Sequence, residues 1–158
     1  MKRVPWPALA LAARFALAAV FLASGLHKTA APAEEFTAVI EAYQVLPGDV
    51  LLPFAHLVPF AELLLAFALA AGYLTRLSAA ATAAMSLMFF IALGSTVARG
   101  LQLDNCGCFG SVHLTPYQAM AVDACMMAMA ALVFLRGRSR FSLDAWIEAG
   151  DSGIRKPA

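Results

Sequence analysis

Charge is what this sequence has least of. Of its 158 residues, 13% are Asp, Glu, Lys or Arg and 62% are hydrophobic, about half the charged share of an ordinary soluble domain. That composition excludes a freely soluble globular protein. Eleven Lys and Arg against ten Asp and Glu leave a net charge of +1, so no basic field exists to hold nucleic acid and no acidic tail is present. Cysteine is scarce as well. Three residues are too few for a disulfide framework, yet two of them stand one residue apart in Asn105-Cys106-Gly107-Cys108-Phe109-Gly110, an improbable accident in so Cys-poor a chain. Sequence repeats and low-complexity linkers are lacking too, and residues 1–158 read as a single membrane domain.

Apolar runs long enough to cross a hydrocarbon core about 30 Å thick need about 20 residues. Four are found, at about 7–26, 50–73, 77–98 and 116–135. They predict an all-α fold: a four-helix transmembrane bundle with outer loops at 27–49 and 99–115 and a tail at 136–158. The start, Met1-Lys2-Arg3 followed by an apolar stretch ending at Ala23-Ser24-Gly25, also has the outline of a cleavable signal peptide. Arg14 inside that stretch, and its spanning length, favour a retained helix.

Lys and Arg in short loops favour the cytoplasmic side. Lys2, Arg3, Arg76, Arg136, Arg138, Arg140, Arg155 and Lys156 fall on one side of the four spans, and Lys28 and Arg99 on the other. Eight against two predicts cytoplasmic termini, and turns Cys106 and Cys108 toward a compartment where disulfides persist. In the first outer loop, Phe36, Val39, Ile40 and Tyr43 share one helical face and Glu34, Glu35 and Glu41 lie off it. This predicts a short amphipathic helix on the outer surface, sealing the bundle end or roofing a site, and ended by Pro47-Gly48. Leu143, Trp146 and Ile147 suggest a weaker interfacial turn.

Arg14, Glu62 and Asp123 fall inside the spans, where a charge costs at least about 3 kcal/mol and calls for a protein partner. Arg14, Ala18, Phe21, Gly25 and Lys28 lie on one line of the first helix, a stripe turned toward its neighbours. Counted from the span ends, Arg14 and Glu62 sit at similar depths and are expected to pair, fixing helix register or tuning something bound. Asp123 and His56 both lie nearer the outer surface and are expected in one polar cluster, with His56 a buried, hydrogen-bonded helix residue. Cys125 reads as a small buried apolar residue. Met120, Met126, Met127 and Met129 read as packing, or as a soft lining for a flat apolar ligand such as a quinone.

Thiol exchange needs a reachable thiolate and a second thiol close enough to resolve a mixed disulfide, and Cys106 and Cys108 meet that requirement in sequence. Gly107 permits the turn that so short a ring demands. Thr115-Pro116-Tyr117-Gln118 has the form of a capped helix start just downstream. Two rival readings stand beside redox chemistry: Cys-x-Cys-x4-His with His113, completed by Asp104 or His27, as a copper or zinc site, and a purely structural pair.

Together, Arg14-Phe15, Phe21-Leu22-Ala23-Ser24-Gly25-Leu26-His27-Lys28, Pro59-Phe60-Ala61-Glu62-Leu63-Leu64, Arg99-Gly100 and Cys106-Gly107-Cys108-Phe109-Gly110 resemble the MauE family of the wider DoxX-like four-helix membrane proteins, over about Arg14 to Leu135. The resemblance implies a bacterial inner-membrane protein for maturation of methylamine dehydrogenase, whose small subunit is rich in disulfides, acting beside a periplasmic thioredoxin-like protein. The family's Arg, Lys and Glu fall on Arg14, Lys28 and Glu62, and its cysteines on Cys106 and Cys108. The expectation is a membrane thiol-disulfide oxidoreductase that passes electrons to or from a carrier in the bundle. That carrier is a quinone by analogy with other four-helix disulfide-forming membrane proteins. The alternatives are a non-catalytic scaffold for the thioredoxin-like partner and a metal-handling membrane protein.

Overall fold

The computed structural model describes residues 6–101, 114–136 and 142–147. Its helices are α1 (Trp6–Ala30), α2 (Ala33–Ala42), α3 (Gly48–Ala71), α4 (Thr75–Ala98) and α5 (Pro116–Arg136). Helices α1, α3, α4 and α5 have 21 to 25 residues, so the shortest is about 32 Å long and each is able to cross a bilayer. The chain is a multi-pass membrane protein, with four such helices among the described residues. Cys106 and Cys108, with Asp104 and His113, lie outside the described residues.

Helix α1 packs along α3 on one side and α5 on the other, α4 packs along α5, and α3 meets α4 over a smaller contact. The burial pattern is that of a protein whose solvent is lipid. Leu57, Phe60, Leu64 and Phe67 form a stripe on α3 that is 67, 65, 72 and 64% exposed, while Arg14, Glu62 and Asp123 are 2, 4 and 3% exposed. Apolar side chains have nothing to lose by facing acyl chains, whereas charges do, so the bundle turns its charges inward. Cys125 corrects the reading made from sequence: it is exposed on the outside of α5, because a thiol small and apolar enough for a core is equally at home against lipid.

Close approach of α1 and α3 rests on Gly25. A Cβ at this position would lie 2.9 Å from the Leu63 Cγ and 3.2 Å from the Leu63 backbone nitrogen, so only a glycine lets the two helices meet here. The helices are staggered. Lys28 sits two residues before the end of α1 and its partner Glu62 fourteen residues after the start of α3, so α3 overhangs by about twelve residues, or 18 Å. Helix α2 fills the space beside that overhang, packing Phe36 and Ile40 against Leu51, Ala55 and Val58. It is the amphipathic helix expected in the first loop, with its apolar face spent on α3.

Opposite, at the turn between α3 and α4, the segment 142–147 folds back onto the bundle. Gly72 closes α3 in the left-handed region at φ 68° and Leu74 follows at φ 45°. A left-handed leucine costs roughly 1–2 kcal/mol. Its conformation is held by Asp144, seventy residues downstream, which accepts from the Leu74 N–H at 2.7 Å and the Thr75 N–H at 2.8 Å. Asp144 thereby caps the start of α4, and its own N–H donates to the Gly72 carbonyl at 3.2 Å. Arg14 belongs to this end: a Cβ on Gly72 would meet its Nη1 at 2.6 Å and Ser142 at the same distance. Burial pushes the Asp144 carboxyl up, but the hydrogen bonds from Thr75 and Leu74 and the Arg14 guanidinium outweigh it and hold the group below the usual carboxylate range.

A lowered carboxyl pKa means stability that is present above the unfolded value near 4 and lost as pH falls through the folded one. Asp144→Ala is expected to lower stability in detergent by about 1–2 kcal/mol at pH 7, the usual worth of a helix cap. Thermal melts of the two proteins should converge below pH 4; a difference unchanged at low pH would show that the carboxylate is not the cap.

Candidate functional site

Two carboxyls, an ammonium and two hydroxyls meet between α1, α3, α4 and α5. Lys28 Nζ donates to Glu62 Oε1 at 2.5 Å, and Ser24 Oγ donates to Glu62 Oε2 at 3.1 Å. Ser24 and Lys28 stand four apart on α1 and so share a face, which makes the Ser-Gly-x-x-Lys run of α1 a fitted receptor for the Glu62 carboxylate, with Gly25 providing the approach. The Lys28 ammonium is further covered by aromatic rings, Phe36 of α2 at 4.7 Å and Phe89 of α4 at 5.2 Å, in cation–π geometry. Helix α2 thus roofs this lysine.

Beside the pair lies a cavity of about 30 Å³ that Ser24, Lys28, Glu62, Ser86, Phe89 and Asp123 help to line. That is room for one or two water molecules. Met85 and Met126 contribute to its wall, and so does Leu114, six residues after Cys108. Next to it, with Phe89 in both walls, an apolar groove of about 420 Å³ runs among α2, α3 and α4 and is lined by residues such as Ile40, Phe54 and Met88.

Sequence reasoning paired Glu62 with the wrong cation. Arg14 lies fourteen residues from Lys28 on α1, about 21 Å away, and sits at the α3–α4 turn with Asp144. The depth argument failed because it set the spans flush, whereas the overhang of α3 brings Glu62 level with the end of α1. His56 is also apart from Asp123: it is exposed, and its Nδ1–H donates to the Leu52 carbonyl at 2.9 Å. The hydrogen bond expected of this helix histidine is present, but the burial expected with it is not, nor is the shared cluster, because a ring satisfied by its own helix carbonyl has no need of the interior. Asp123 instead joins Lys28 and Glu62 at the cavity.

Ser86 and Phe89 were missed. A signal existed, since Ser78, Thr82 and Ser86 recur every four residues on α4 and all are buried, a polar stripe on an otherwise apolar helix. The capping box expected after the cysteine loop is present: Thr115 N–H donates to Gln118 Oε1 at 3.0 Å, and Gln118 N–H donates to Thr115 Oγ1 at 3.4 Å. Before that loop, Arg99 donates to the Tyr43 carbonyl and, at 3.2 Å, to the Gln44 carbonyl. Gln44 is left-handed at φ 51°, and this contact pins the end of α2 to the end of α4. Among the described residues no three His, Cys, Asp or Glu groups converge as a metal site would require.

Removing one member of a buried ion pair orphans the other and costs about 3–5 kcal/mol, whereas removing both does not. Lys28→Met and Glu62→Gln are each expected to lower thermal stability in detergent, and the double variant to regain much of the loss. Arg14→Leu combined with Glu62→Gln should lose additively, since those residues do not touch. Recovery in the Arg14 combination would contradict the pairing seen here.

The chain resembles known proteins along most of its described length. It is 36% identical over 102 residues to the methylamine utilization protein MauE of Methylophilus methylotrophus, covering 65% of this chain and 53% of that protein. It is likewise 36% identical over 103 residues to the protein of the same name from Paracoccus denitrificans, covering 65% and 55%. The matched part thus spans about half the length of these relatives. No solved structure matches it. The family model described as methylamine utilisation protein MauE matches residues 6–136, which takes in all five helices and the polar cavity, and the chain therefore belongs to the MauE family.

Proposed function

We propose that this protein acts in thiol-disulfide exchange at the outer face of the bacterial inner membrane, with both termini cytoplasmic and with Cys106 and Cys108 as the exchanging pair. The observation that carries this reading is the Cys-Gly-Cys sequence in the loop between α4 and α5, in a chain with one other cysteine. One thiolate attacks a partner's disulfide, forming a mixed disulfide and releasing the partner's second sulfur as thiolate. The neighbouring cysteine then displaces the partner, leaving a Cys106–Cys108 disulfide and a reduced partner; the reverse sequence oxidises it. The fitting partner is a periplasmic thioredoxin-like protein and, through it, a disulfide-rich client such as the small subunit of methylamine dehydrogenase.

Support also comes from what frames the loop. The Arg99 anchor and the capping box at Thr115 fix its two stems, and Leu114 reaches the cavity wall. The apolar groove is in the size range of small-ligand pockets, and Phe89 separates it from the donors Lys28 and Ser86. A quinone held there would supply an acceptor for the two electrons and two protons that dithiol oxidation releases.

Cys106→Ser and Cys108→Ser, made singly, test the reading: at least one is expected to accumulate a covalent adduct with a thioredoxin-like protein, visible on non-reducing gels. Client maturation that survives in a normally expressed double Ser variant would replace exchange by a scaffold role. A membrane-impermeant thiol reagent added after mild reduction to cells opened only at the outer envelope should label the loop cysteines. Labelling that requires rupture of the inner membrane would invert the topology.

A further inference from the structure

Counting charge around the cavity leaves one group unaccounted for. Glu62 is neutralised by Lys28 and has both oxygens engaged. Asp123, 3% exposed, and Ser86, 1% exposed, line the same cavity, yet Asp123 Oδ2 and Ser86 Oγ have no hydrogen-bond partner among the described residues. Among the described residues, Lys28 from α1 and Glu62 from α3 are the other charged groups facing that cavity; α4 contributes Ser86, Met85 and Phe89, and α5 contributes no charge besides Asp123. An ionised Asp123 would leave the cluster one negative charge in excess inside a bundle surrounded by lipid, a state the interior strongly disfavours.

We propose that this cavity is an intramembrane proton-binding site, in which Asp123 carries the proton and one or two waters link its carboxyl and the Ser86 hydroxyl to the Lys28–Glu62 pair. The volume admits that water, and the walls offer the two to four polar partners it needs. A protonated Asp123 donates through the hydrogen that an isolated carboxylate lacks, so the orphaned oxygen and the Ser86 hydroxyl both find partners in the same water. The site binds and releases one proton while the rest of the cluster stays neutral. Its polar groups, Ser24, Lys28, Glu62, Ser86 and Asp123, come from α1, α3, α4 and α5, so it is independent of the cysteine chemistry.

Charge counting also fixes how the neighbours act. When Glu62 becomes neutral, Lys28 is left without its counter-ion and Asp123 is the remaining acid able to replace it. The proton should then leave Asp123.

Infrared spectra of the purified protein in detergent, in H₂O and D₂O, read this directly through the C=O stretch of a protonated carboxylic acid. At neutral pH the wild type is expected to show such a band, shifted by D₂O and unaffected by sodium. Asp123→Asn should abolish it, and Glu62→Gln should abolish it as well. Ser86→Ala, which alters no charge, should shift the band without removing it, and this variant keeps the test open if the others fold poorly. A wild type without the band would overturn the proposal, as would a band that survives Asp123→Asn. Loss of the band on adding sodium at constant pH would make this a cation site instead. Persistence in Glu62→Gln would overturn the charge argument, and an unshifted band in Ser86→Ala would remove the bridging water.

Discussion

An ammonium and a carboxylate that must meet inside lipid dictate much of this bundle. The Lys28–Glu62 contact forms at 2.5 Å only if two backbones come unusually close, and the requirement falls on Gly25, whose missing side chain admits Leu63. With α1 and α3 in that register, α3 overhangs α1, and the exposed flank of α3 needs an apolar partner. Helix α2 supplies it. Helix α2, which a loop of this length could omit, is therefore demanded by the stagger, and the stagger is demanded by the ion pair. Phe36 completes the circle by leaving α2 to cover the Lys28 ammonium, trading water for a π face around a charge that has little solvent to turn to.

At the opposite end, the problem is a tight turn rather than a charge. Ala71 to Thr75 must reverse the chain, and it does so through two left-handed residues, Gly72 and Leu74. Glycine takes that conformation freely and leucine does not. The bundle answers with Asp144, whose two oxygens collect the Leu74 and Thr75 amides, and with Arg14 close behind. A residue that sequence reasoning placed in the membrane as a partner for Glu62 is thus part of a staple joining α1, the α3–α4 turn and the returning C-terminal segment. The two buried cations of α1 serve two separate ends of the molecule.

What was legible in the sequence was everything set by local pattern. Four apolar runs gave four spans, Phe36 and Ile40 marked the buried face of α2, the line from Arg14 to Lys28 marked the buried stripe of α1, and Thr115 with Gln118 marked the start of α5. Each of those follows from residues within two or three turns of one another. What failed depended on register between distant segments. The partner of Glu62 requires knowing where α1 ends relative to α3, and the cap of α4 lies seventy residues away. Cys125 and His56 failed for another reason: in lipid, exposure does not sort apolar from polar as water does, so an apolar thiol faces outward and a histidine satisfied by its own helix carbonyl needs no cluster.

The stems of the cysteine loop tie it to the same polar centre from two directions. On one side, Arg99 holds the carbonyls of Tyr43 and Gln44, at the end of the helix whose Phe36 covers Lys28. On the other, Leu114 enters the cavity wall where Asp123 and Ser86 lie. A displacement of either stem must therefore disturb a group that touches the Lys28 ammonium or the cavity beside it. If the loop exchanges disulfides, its described stems, Arg99 and Leu114, are the links between that chemistry and the charged centre. That centre is also the part whose charge changes with a single proton, since the Lys28–Glu62 pair sums to zero and leaves Asp123 as the variable.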